Sequence, residues 1–230
     1  MKVAISLSGG MDSTTLLGYV LDNQLNLDEV IAVSFIYPSK HNKYEIEAAK
    51  KVIEYYKEKI EIKIEHIIMD VSKIFEFFES DLLKKGGPIP EGHYQEDNMK
   101  ATVVPARNII FGSILAGIAN SKGAEKIYLG VHAGDHHIYP DCRLETMNTF
   151  EETIKLATNY EVYVRFPFIN MFKQEILQEG YSFSIPVPYH LTRTCYKNQE
   201  LSCGKCGSCN ERLEAFKKIN RVDPIKYEED

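Results

Sequence analysis

Residues with strong chemical character sit in two compact clusters. The first is LSGGMDSTT, residues 7 to 15, between a short apolar run and a helical pattern. The glycine pair, Gly9 and Gly10, lets the backbone approach a ligand closely and aims amide hydrogens outward at the positive end of the coming helix. Ser8, Ser13 and Thr14 add hydroxyl donors, and Asp12 suits a magnesium ion or the orientation of the loop. This is a phosphate cradle, although it lacks the lysine of G-x-x-x-x-G-K-[ST] and the spacing of G-x-G-x-x-G. The second cluster is Cys195, Cys203, Cys206 and Cys209, a C-x7-C-x2-C-x2-C arrangement. Two x2 spacings sharing Cys206 turn three thiolates onto one ion, Gly204 and Gly207 allow the tight backbone, and Cys195 completes a tetrahedron. A structural zinc is the expected occupant. An iron–sulfur cluster uses the same number of ligands and stays open.

The elements around these clusters read as an α/β domain. KVAISL (2–7) and VIAVSFI (30–36) are short, β-branched and apolar on both faces, as strands buried in a parallel sheet are. IEIKIEHIIM (60–69), KIYLGVH (126–132) and EVYVRFPF (161–168) are further strands. Helical spacing appears in DSTTLLGYVLDN, with Asp12 or Ser13 as its N-cap, and in EIEAAKKVIEYYKEK, RNIIFGSILAGIANSKGA, TFEETIKLATN and NERLEAFKKI. Strand and helix alternating from residue 2 predict an open, doubly wound parallel sheet. Residues 84–105 and 133–143 read as long loops, and the second leaves the C-terminal end of a strand, where such sheets bind ligands. The expected organisation is an α/β domain with the phosphate cradle over 1–185 and a zinc-binding C-terminal segment over 186–230.

At 230 residues, with 44% hydrophobic and 26% charged residues, the chain can bury a full core. A formal net charge of −6 argues against a protein that grips a nucleic-acid backbone, which needs clustered cations. A small-molecule substrate is expected instead. The N-terminus meets Gly9 too soon for a signal peptide, and no run reads as a membrane span, so a cytoplasmic protein is expected. Four crowded cysteines suit a metal in a reducing compartment better than disulfides. Cys142 reads as a packed thiol, and His136 and His137 as a solvated turn.

SGGMDST resembles the SGGxDS signature of the ATP pyrophosphatases, the PP-loop enzymes, which cleave ATP between its α and β phosphates. With VPARN (104–108), YPDCR (139–143), and TCY followed by three cysteines, the chain resembles the 7-cyano-7-deazaguanine synthases of queuosine biosynthesis over roughly residues 3 to 216. The resemblance implies that Leu7, Ser8, Gly9, Gly10, Met11, Asp12, Ser13, Thr14 and Thr15 hold ATP with magnesium. It gives Asp12 and Arg107 catalytic roles and places Arg107, Asp135, Tyr139, Asp141 and Arg143 at the substrate; Arg193, two residues before the first cysteine, joins them if the cysteine loop folds over the site. The planar fork of Arg107 suits a phosphate or a carboxylate. Two departures stand out. The family's Y-G-Q-R-H is YPSKH here, ending at His41, and its V-P-G-R-N has alanine at 106.

The implied reaction adenylates 7-carboxy-7-deazaguanine, displaces AMP with ammonia, and then adenylates the amide and eliminates AMP to give the nitrile. A homodimer is also implied. The rival readings are a relative that stops at the amide or joins the activated acid to another amine, and a PP-loop tRNA-thiolating enzyme.

Overall fold

A computed structural model describes residues 1–93 and 96–228. Alternate residues of its strands drain into two separate cores, which is what a sheet covered on both faces requires. Val3 and Ile5 of β1 (Lys2–Ser6) and Val30 and Ala32 of β2 (Glu29–Ile36) join one core. It is completed by Leu16, Leu17 and Val20 of α1 (Met11–Asn23) and by Ala49, Val52 and Ile53 of α2 (Asn42–Lys57). Ala4, Ile31 and Val33 point the other way, onto Leu115, Ala116 and Ala119 of α3 (Arg107–Lys122) and Met147, Phe150 and Ile154 of α4 (Leu144–Ala157). With β3 (Lys63–Asp70), β4 (Lys126–Tyr128) and β5 (Tyr163–Arg165), the strands form one parallel sheet in the order β3-β2-β1-β4-β5. This is the doubly wound sheet expected from the sequence.

The order reverses between β1 and β4, and the crevice beyond their C-terminal ends is where such a sheet takes a ligand. β4 and β5 are only three residues long, shorter than their apolar runs suggested. The stretch Asp97–Lys122, a 3-10 segment over Asp97–Thr102 followed after a break by α3, is by length and composition apolar enough to cross a membrane, which the sequence reading did not anticipate. One face of that stretch is buried against the sheet through Gly112, Leu115, Ala116 and Ala119.

Helix α1 starts at Met11 with Gly10 as its N-cap, so Asp12 and Ser13 lie inside the first turn instead of capping it. Gly9, at φ +83°, is wedged against α2: a Cβ there would lie 2.5 Å from both the Ala49 nitrogen and the Glu45 carbonyl oxygen. Only glycine permits that approach.

One helix was not foreseen. α5 (Lys173–Ser182) buries Ile176, Leu177 and Gly180, a helical spacing easily missed among its polar residues. It packs with Met11, Phe183, Val187, Tyr189, Ala215 and Phe216 in a third apolar cluster. Through that cluster the C-terminal segment and α6 (Gly207–Lys218) close onto the first turn of α1. The fully buried Arg212 locks the segment, donating to both carboxylate oxygens of Asp223 (2.7 and 2.9 Å), to the hydroxyls of Thr192 and Thr194, and to the Tyr189 carbonyl.

Ala106, the N-cap of α3, sits at φ +52°, the left-handed region that disfavours a Cβ. Replacing it with glycine, the residue of the V-P-G-R-N pattern, removes that strain. Ala106→Gly is expected to raise the urea unfolding free energy by about 1 kcal/mol.

Candidate active site and metal centre

The crevice at the strand-order reversal is a cavity walled by Ser6 and Leu7 after β1, and by Leu129, Gly130 and Val131 after β4. At one end the loop 7–13 is braced internally. Ser13 Oγ accepts from the Ser8 amide (3.2 Å), lies 3.0 Å from Ser8 Oγ and donates to the Gly10 carbonyl (3.3 Å). From outside, the Arg193 amide donates to the Gly9 carbonyl at 2.9 Å. Ser8, Gly10, Met11, Asp12 and Ser13 face the cavity with Leu7. Gly9 is spent on packing against α2. Thr14 and Thr15 are fully buried behind the loop, and the Thr15 hydroxyl donates to the Met11 carbonyl (2.8 Å).

Asp12 belongs to a buried charged chain. Its Oδ2 lies 3.3 Å from Lys173 Nζ and 3.7 Å from His132 Nε2, and Lys173 continues to the carboxylate of Glu211 on α6 at a short 2.5 Å. Lys173 and His132 are 5% and 1% exposed. Burial opposes the charge of Asp12, but Lys173 and His132 together outweigh it and hold the carboxyl well below the usual range. Burial likewise works against the Lys173 ammonium, and Asp12 and then Glu211 more than offset it, so the lysine stays charged. The Gly134 amide donates to His132 Nδ1 (3.1 Å), which puts the imidazole proton on Nε2, toward Asp12 and Asp135. Asp12 Oδ1 is buried without a hydrogen-bond partner among the described residues.

At the other end, Arg107, Asp135, Tyr139 and Arg193 reach the cavity wall beside Tyr37, His41, Glu45 and Tyr196. Arg107 donates to the Tyr37 hydroxyl (3.3 Å) from the first turn of α3. The hydroxyl of Tyr139 lies 2.9 Å from Thr102 Oγ1 and 3.4 Å from the Tyr196 hydroxyl. Arg193 is buried over the Tyr44 ring, and its terminal nitrogens donate to the carbonyls of Lys197, Gln199 and Glu200. The cysteine loop does fold over the cavity, and Arg193 is the side chain that ties the two together.

Asp141 and Arg143 are not brought to this wall. Asp141 Oδ2 accepts from the Asn108 amide (2.7 Å) at the positive end of α3, so its carboxylate anchors the turn that presents Arg107. Arg143 is exposed and donates to the His136 carbonyl. Cys142 is packed, as its sequence position suggested: burial pushes its thiol up, and Asn108 Nδ2 lies 3.2 Å from its sulfur. His136 is half-buried and His137 exposed.

The four clustered cysteines are buried, with their sulfurs all within 4.8 Å of one another. Cys203 and Cys209 lie 3.9 Å apart, close to the edge of about 3.8 Å that a tetrahedron with Zn–S bonds of about 2.3 Å has. The amides of Lys197 and Cys203 donate to Cys195 Sγ, and those of Lys205 and Cys206 to Cys203 Sγ, all at 3.3–3.4 Å, as thiolate ligands require. The donor set fits a closed tetrahedral metal site. Cys206 is also the N-cap of α6, so the site sets the start of the helix that carries Glu211. Across from it, the loop after residue 84 is pinned to the cluster by a bridge between Glu91 and Cys206 and by the Lys197–Glu91 ion pair.

The profile of the family described as Queuosine biosynthesis protein QueC matches residues 2–220. The chain belongs to that family. A 7-cyano-7-deazaguanine synthase of Caldicellulosiruptor saccharolyticus is 44% identical over 228 residues, covering 99% of this chain and 96% of that one. The synthase of Hahella chejuensis is 45% identical over 221 residues, covering 96% and 90%. That of Marinomonas sp. is 42% identical over 227 residues, covering 99% and 98%. Among solved structures, the U34-tRNA thiolase NcsA from Methanococcus maripaludis with its 4Fe-4S cluster aligns with a TM-score of 0.48 and 17% identity, covering 96% of this chain and 65% of that one.

In this QueC-family chain the sequence reading missed His132, Lys173, Glu211, Glu45 and Tyr196. The only available signals were a histidine and a lysine next to otherwise apolar stretches. Removing Lys173 strands two buried carboxylates. Lys173→Met is expected to cost roughly 3–5 kcal/mol in urea unfolding, and adding Glu211→Gln to restore part of that loss, because the pair is coupled.

Proposed function

We propose that this QueC-family protein converts 7-carboxy-7-deazaguanine and ammonia to 7-cyano-7-deazaguanine, with ATP adenylating first the carboxylate and then the amide oxygen. The observation that carries this reading is the single cavity at the sheet's reversal point. It joins a braced phosphate loop to an arginine- and aromatic-lined end. The loop amides and Lys173 hold the pyrophosphate end of ATP, and Arg107 faces the carboxylate or the α-phosphate. The chain supplies positioning and fixed charge where negative charge moves from the scissile phosphate to pyrophosphate.

Asp12 is the residue for magnesium, since its buried Oδ1 has no protein partner. The ion would neutralise phosphate charge when bound. Tyr139, Tyr196 and Phe111 offer flat surfaces to a purine-like ring, and Asp135 accepts from its N–H edge. Cys195, Cys203, Cys206 and Cys209 hold a structural zinc, leaving no open coordination position for chemistry. With those four in one cluster and Cys142 buried with a raised pKa, the described residues offer no catalytic thiol pair, which sets this reading apart from thiolation. The protein works in the cytoplasm on small molecules as a homodimer.

Incubated with magnesium ATP, ammonium and 7-carboxy-7-deazaguanine, the protein is expected to yield the nitrile with AMP and pyrophosphate. Mass spectrometry checks the product, and an amide end product or no turnover overturns the reading. Asp12→Ala is expected to abolish turnover. Elemental analysis is expected to find about one zinc per chain and no iron, and Cys206→Ser to lower the thermal midpoint along with the zinc content.

A further inference from the structure

Ammonia enters this reaction with three hydrogens and leaves as a nitrile nitrogen with none. When nitrogen attacks the acyl adenylate, a C–N bond forms, the C–O bond breaks, and AMP departs with the electron pair; the nitrogen sheds one proton to become the amide. After the amide oxygen is adenylated, the second C–O bond breaks as the triple bond forms, AMP again takes the electron pair, and the same nitrogen sheds its remaining two protons. A single proton acceptor beside that nitrogen serves both stages.

Three carboxylates line the cavity: Asp12, Glu45 and Asp135. Asp12 is held ionised by Lys173 and is a poor base. Asp135 lies 3.5 Å from His132. Glu45 differs. Its side chain is 17% exposed at the cavity wall, forms no ion pair with any described lysine or arginine, and has His41 Nε2 at 3.4 Å as its close neighbour. His41 is 2% exposed, and burial, with the fields of Arg107 and then Arg193, pushes its pKa down to about 3, so the imidazole is neutral and no rival base. Burial raises Glu45 to about 7 even though Arg107 and Arg193 pull the other way. Asn42 on α2 hydrogen-bonds to it, and the Tyr37 hydroxyl lies within its field.

Resting on the reaction proposed above, we propose that Glu45 binds the incoming ammonium, takes its fourth proton, and then accepts in turn the three protons the nitrogen loses as the amide and the nitrile form, passing each to water from its exposed edge before taking the next. Gly9 packs directly against the Glu45 backbone, so the base and the phosphate loop are held at a fixed separation by one contact. A base with this proton affinity suits transfer at neutral pH.

The test separates the two half-reactions. Acid-dependent ATP–pyrophosphate exchange reports adenylation, which needs no nitrogen. Ammonia-dependent product formation, compared at constant free ammonia, reports the step assigned to Glu45. Hydroxylamine, already neutral at pH 7, bypasses the need to deprotonate an ammonium. Glu45→Gln is expected to lower ammonia-dependent turnover about 100-fold, to change exchange less than about threefold, and to slow hydroxamate formation far less than ammonia use, because hydroxylamine sheds one nitrogen proton where the route from ammonium to nitrile sheds four. In the wild type, turnover is expected to fall as pH drops through about 7, where Glu45 takes up a proton; that limb vanishes in Glu45→Gln and returns in Glu45→Asp. Equal loss of exchange and ammonia use, or retention of ammonia use, overturns the proposal. Wild-type protein without acid-dependent exchange overturns the reaction on which it rests.

Discussion

One buried ammonium connects the parts of this molecule that the sequence keeps far apart. Lys173, itself 5% exposed, sits between Asp12 of the phosphate loop and Glu211 of the last helix. An ammonium in that position is held only while both carboxylates are present, and each carboxylate is tolerated in the interior only because of the lysine. The loop's chemistry, the placement of α5 and the packing of α6 therefore depend on one another.

The cysteine cluster acts through the same contact. Its fourth sulfur lies in the first turn of α6, two residues before Glu211, and Arg193, two residues before the first, ties the cysteine loop to the phosphate loop through its backbone. A closed site of four thiolates does no chemistry of its own, but it sets where a charged group at the phosphate end stands. The four-cysteine cluster thereby helps to position a charged residue of the candidate site.

The sheet and the two clusters were legible in the sequence because each leaves a local signature. Buried parallel strands are continuous apolar runs, a glycine pair before a helix marks a phosphate loop, and x2 cysteine spacings mark a metal site. Lys173, His132 and Glu211 left none, because their roles arise from three segments meeting in space. Asp141 shows the reverse failure: its type and place suggested a ligand, whereas the fold spends it on the amide of Asn108. Ala106 lies between the two. The sequence marks it as a departure from the family pattern, and only the backbone angle shows what it costs.

The Gly9 carbonyl is among the first polar groups the chain makes, and the Arg193 amide that satisfies it comes 184 residues later. A chain still being synthesised has its glycine-rich loop long before it has the segment that braces it, so the loop reaches its final hydrogen-bonded form only after the cysteine-bearing end has docked.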